Sequence, residues 1–97
     1  MSIDEIAEIN EDALFFDGFN DAIIGMAERI NFGPVVAYSE SKIIEILIKE
    51  MEVDDTDMDE DEINDEKRTM AVEYYEFNIK GAYMGEFTPI LIITNLD

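Results

Sequence analysis

The chain has 97 residues, 47% of them hydrophobic, and a formal net charge of -19 from 25 acids set against 6 bases. That length supports one domain, and the apolar content is that of a folded protein rather than a disordered acidic tail; a surface so anionic disfavours nucleic acid and anionic lipid as direct ligands. With neither cysteine nor histidine, disulfides, thiolate and imidazole nucleophiles and the common zinc sites are excluded.

The opening Met1-Ser2-Ile3-Asp4-Glu5 has no basic segment followed by an apolar one, and no apolar run approaches the roughly 20 residues of a membrane span. The expectation is a soluble, unprocessed, cytoplasmic chain. Ile3, Ile6 and Ile9 recur at threes, forming one edge of a short helix unless the acidic terminus frays.

Ala13-Leu14-Phe15-Phe16 and Ala22-Ile23-Ile24-Gly25-Met26-Ala27 are apolar runs either side of Asp17-Gly18, which reads as a β-hairpin. A helix over 21–31 competes, because Ala22, Ile23, Met26, Ala27 and Ile30 share a helical face. Gly33-Pro34 is a break, and Val35-Val36-Ala37-Tyr38 has strand character. Ser39 or Ser41 can cap a helix over 40–52, whose Ile43, Ile44, Ile46, Leu47, Ile48 and Met51 suit a core position.

Residues 53–66 form an acidic run expected to be a loop. A second helix over 65–84 follows, with Met70, Tyr74, Phe77, Gly81 and Met84 as its apolar stripe and Gly85 as its cap. Gly81 within that stripe suggests the close approach of another backbone. Ile90-Leu91-Ile92-Ile93-Thr94 is a strand that must be buried or paired; pairing across a homodimer is one way to achieve this. The expected fold is α+β, with an N-terminal three-stranded antiparallel β-meander, two packed helices and a C-terminal strand or extended tail.

Three blocks carry a resemblance: Ala13 to Gly25 (ALFFDGFNDAIIG), Pro34 to Tyr38 (PVVAY) and Glu73 to Ile90 (EYYEFNIKGAYMGEFTPI). Over roughly residues 12–93 the chain resembles a group of small uncharacterised proteins of bacteriophages and prophages. It departs from that group where a short Gly-Met turn joins the last two helices, since the acidic run stands there instead. The resemblance implies a phage-type accessory protein working in a host cytoplasm, supports the hairpin reading, and brings no established activity.

Several constellations can carry function. Asp55, Asp57, Asp59, Asp61 and Glu66 match positions 1, 3, 5, 7 and 12 of a calcium hand, although Glu60 replaces the turn glycine and Glu62 an apolar residue. Asp17, Asp21, Asp61, Glu73 and Glu86 are candidates for carboxylate catalysis, but only Arg29, Lys42, Lys49, Lys67, Arg68 and Lys80 are available to hold phosphates. Tyr74, Tyr75, Phe77, Tyr83, Asn78 and Glu86 form either core or a small-ligand pocket. Finally, carboxylates presented in rows can imitate phosphates.

The favoured expectation is non-enzymatic: binding to a basic, nucleic-acid-holding surface of a host protein so as to inhibit or modulate it, with DNA mimicry as one way to do so. Glu50, Glu52, Asp54, Asp55, Asp57, Asp59, Glu60, Asp61 and Glu62 would supply charge, and Met58 apolar contact. No cofactor is required, and a calcium-type divalent cation or a small ligand is the alternative.

Overall fold

The computed structural model describes residues 2–28, 33–53, 57–82 and 84–93. Its elements are α1 (Ile3–Ile9), a 3-10 turn (Asn20–Ala22), β1 (Ile23–Ala27), β2 (Val35–Ser39), α2 (Glu40–Glu50), α3 (Glu60–Tyr75), a π turn (Glu76–Lys80) and β3 (Ile90–Ile92). The class is α+β, with a sheet ordered β1-β2-β3.

All five residues of β2 are buried, and the rest of the fold is hung on this strand. β1 pairs with it antiparallel, Ile23 opposite Tyr38 and Ala27 opposite Val35; an irregularity between Ile23 and Gly25 leaves Ile24 over. That extra residue is 51% exposed, as the unpaired member of a bulge tends to be. β3 pairs on the other side in parallel, Ala37 opposite Ile90 and Ser39 opposite Ile92.

The antiparallel meander is thus corrected. Residues 13–16 form no strand, because the backbone N–H of Phe16 is taken by a side chain, donating to the Tyr38 hydroxyl at 2.9 Å. The rings of Phe16 and Tyr38 pack with centroids 5.0 Å apart, so this segment crosses the sheet by side-chain contact instead of adding to it. The helix reading of residues 21–31 also yields over residues 21–28, since Ile23–Ala27 is the strand β1; residues 29–31 lie outside the described residues. The C-terminal strand finds its partner within the chain, on β2.

Ser39 ends β2 and caps α2, its hydroxyl accepting the Lys42 N–H at 3.3 Å. Strand therefore passes into helix with no connecting loop. Ile43 and Leu47 of α2 are buried, while Ile44, Ile46, Ile48 and Met51 pack partly buried around the core. α1 is closed at its start by a reciprocal cap between Ser2 and Glu5, and the Ser2 hydrogen bonds hold the Glu5 carboxyl below the usual range. Of its isoleucine edge only Ile6 is buried; Ile3 and Ile9 stay about half exposed.

The Asn10 side chain donates to the Pro34 carbonyl at 2.8 Å, tying the end of α1 to the entry of β2. A Cβ on Gly33 would stand 2.9 Å from the Phe87 ring, so a side chain there requires the ring to move. Gly85, with φ +108, makes the turn that precedes β3; Thr88 closes it by donating to the Gly85 carbonyl at 2.6 Å and accepting the Met84 N–H at 2.7 Å.

Candidate functional site

The expected loop over 53–66 is shorter than its acidity suggests, because its second half is helix. Asp59 caps α3, its carboxylate accepting the Glu62 N–H at 2.9 Å. Glu60, Asp61 and Glu62 occupy the first turn, where the positive end of the helix dipole favours carboxylates. A run of acids thereby starts a helix rather than preventing one.

This fixes where each expected site residue sits. Glu50 ends α2 and is exposed, and Glu52 is exposed just beyond it. Asp54 and Asp55 lie outside the described residues. Asp57 and Asp59 are exposed, whereas Met58 is half-buried and so partly withdrawn from any partner. Asp61 and Glu66 are exposed on α3. A calcium hand needs its twelve-residue loop to wrap an ion, and here helix replaces that loop from Glu60 onwards. Among the described residues no acidic cluster converges as a metal site.

The catalytic candidates are spread out. Asp17 precedes the 3-10 turn and Asp21 lies within it, Asp61 and Glu73 stand about 18 Å apart along α3 by helical rise, and Glu86 follows Gly85; all are exposed. The aromatic cluster divides in the same way. Tyr75 is buried at 2% exposure, while Tyr74 is 47% and Phe77 83% exposed; Asn78 and Glu86 are exposed, and Tyr83 lies outside the described residues.

The buried stripe of this helix is Ala71, Tyr75 and Ile79, not Met70, Tyr74, Phe77, Gly81 and Met84. Continued as an α-helix, the chain would bring Asn78 round to the core after Tyr75. The wider π turn takes up one more residue, so that Ile79 enters the core and Asn78 stays outside. The Asn78 amide then donates to the Tyr74 carbonyl at 3.1 Å.

Tyr75 fastens the helix pair: its hydroxyl donates to Glu40 Oε2 at 2.6 Å, joining the end of α3 to the start of α2. Burial, then the bond to Glu40 and the charges of Glu40 and Glu76, push the Tyr75 phenol well above its usual range. Beside this bond lies a cleft of about 290 Å³ lined by Glu40, Ser41, Ile44, Glu45 and Arg68. Its carboxylates and guanidinium are of both signs, so it does not select a ligand by charge.

The opposite side of α3 is of one character. Glu62, Asp65, Glu66, Glu73 and Glu76 are all exposed there, while Asp61, exposed as well, stands nearer the side of Arg68 and Tyr75. Glu62, Glu66, Thr69, Glu73 and Phe77 recur at intervals of four and three, which places them in one row along the helix. Lys67 is half-buried and Arg68 lines the cleft, and by helix phase both stand on the inner side of α3, away from that row. From Glu62 to Glu76 five carboxylates span about 21 Å of axis, about 5 Å per charge against the 3.4 Å of one DNA strand.

What the fold and this surface define is an α+β domain that displays a helix of carboxylates. Comparison with protein-family models, with curated proteins and with solved structures finds no match for this chain. No described helix is long and apolar enough to cross a membrane.

Proposed function

We propose that the chain is a non-enzymatic, phage-type accessory protein that binds a basic surface of a host protein, one that ordinarily holds DNA or RNA, and modulates it by mimicry of nucleic acid. The observation that carries this reading is the exposed acidic side of α3, with five carboxylates along about 21 Å of helix. A rigid helix holds the carboxylates in place, so little ordering is left to be done on binding. The dense like charge steers encounter with a cationic groove, and counterions released from that groove add to affinity.

Of the segment expected to bind, Glu62 begins this surface, and α3 continues it to Glu76. The phage context rests on the sequence resemblance. The test is capture from a bacterial lysate on immobilised protein, comparing the wild type with a Glu62→Gln, Glu66→Gln, Glu73→Gln variant. The wild type should retain a nucleic-acid-binding protein that duplex DNA displaces and the variant loses. Capture of the same proteins by both, indifferent to DNA, would reject the proposal.

A further inference from the structure

Charge alone attracts any basic surface, and the structure carries a second feature beside the carboxylate row that can select among them. Phe77 is 83% exposed and Tyr74 47% exposed, one turn apart where α3 widens. Met70 is half-buried one turn before them, and Gly81 is exposed one turn after Phe77. Residues at these spacings are neighbours on a helix surface and form a ridge of the kind that packs against another helix.

Gly81 adds a separate indication. A side chain there would meet only the Glu76 and Phe77 carbonyls of its own turn, at 3.7 and 3.9 Å, so no other described element of the chain approaches it. The gap in the ridge is open to something from outside. Around the ridge stand the exposed carboxylates Glu66, Glu73 and Glu76, with Lys80 one turn beyond Phe77. A second copy of the chain would bring these carboxylates against their own kind at a net charge of -19 each, and nucleic acid would be repelled likewise.

We infer that the face formed by Met70, Glu73, Tyr74, Phe77 and Gly81 docks an amphipathic helix of the partner protein, one whose apolar stripe is bordered by lysine and arginine. This rests on the function proposed above and names the partner element that the site grips. Phe77 enters between apolar side chains of the incoming helix, Gly81 lets that helix come close, and Glu66, Glu73 and Glu76 pair with its basic borders. Exposed aromatics of this kind are frequent anchors of protein interfaces.

Two synthetic probes separate anchor from charge: a basic amphipathic helical peptide with a leucine stripe, and an oligolysine of equal charge, each measured by fluorescence anisotropy near physiological salt. The wild type should bind the amphipathic peptide about tenfold or more tightly than oligolysine. Phe77→Ser should abolish that preference while leaving oligolysine binding and the melting temperature unchanged, and Glu73→Gln with Glu76→Gln should weaken both peptides. A preference that survives Phe77→Ser, or no preference in the wild type, overturns the inference. So does a dimer in sedimentation that Phe77→Ser disperses, which assigns the face to a second copy. If lysate capture is indifferent to the α3 carboxylates yet Phe77→Ser still loses the amphipathic peptide, mimicry fails and the docking face stands.

Discussion

β2 and α3 use their residues in opposite ways. All five residues of β2 are buried, whereas of the sixteen in α3 only Ala71 and Tyr75 are. β2 gathers two strands, the cap of α2 and the Phe16 N–H onto one short segment, so each of its side chains has a structural duty. α3 is held by a narrow stripe with half-buried Ile63, Lys67, Met70 and Val72 beside it, and turns its outer side to water. A domain this small has one core to build around; concentrating it on β2 leaves a whole helix face free to carry charge. Stability should therefore respond to substitution in β2 and hardly at all on the outer face of α3.

The strongest way to break this contrast is Tyr38→Phe. It removes the acceptor of the buried Phe16 N–H while keeping the ring, and should lower unfolding free energy by about 2–3 kcal/mol in urea titration. A loss below half a kcal/mol would show that β2 is not the hub described.

Tyr75→Phe probes the inner stripe of α3, with an expected loss of about 1–2 kcal/mol at neutral pH from the bond to Glu40. Its pH dependence has a definite sign. The phenol is raised in the folded state relative to about 10 in the unfolded chain, so its contribution is whole below pH ~10 and is lost as pH rises towards the folded value. Stability of the wild type should hold to about pH 10 and fall beyond it, more steeply than that of Tyr75→Phe. Tyr38, raised by burial as well, leaves the variant some residual slope.

The smallest effect sharpens the contrast from the other side. Glu66→Gln lies on the exposed face with Glu62 one turn before it, so it should change stability by less than about 0.5 kcal/mol, in the stabilising direction. Raising salt should add stability to the wild type by screening the same repulsion, and less to this variant. A destabilised Glu66→Gln would mean that the outer face takes part in the fold.

Much of the β2–α2 unit was legible because its signals are local. Pro34 sets the break, Val35 to Tyr38 the strand, and Ser39 or Ser41 the cap; the isoleucine spacing marks α1 as a short helix without telling buried Ile6 from exposed Ile3 and Ile9. The start of α3 is hidden because a run of acids reads as a solvated loop, although an aspartate at the cap and carboxylates in the first turn favour a helix. Its stripe was misassigned because Tyr74 and Phe77 are larger than Ala71, and the π turn that brings Ile79 inward has no simple periodicity. The parallel direction of β3 depends on how α2 and α3 pack between the strands, which no short segment encodes. Of the binding surface, the charge was evident from composition, while its arrangement in a row on α3 required the helix phase.

Because β3 runs parallel to β2, about fifty residues must be gathered in before their ladder can form, an entropic cost of roughly 3–4 kcal/mol by loop closure. β1 is far nearer in sequence and can pair first. During that interval the Ala37–Ser39 edge of β2 waits without its second neighbour, and an unpaired apolar edge is where chains begin to join one another. A net charge of -19 is present before folding as well as after, so two nascent molecules repel throughout the wait. The acidity that loosens the finished domain thus also guards its assembly.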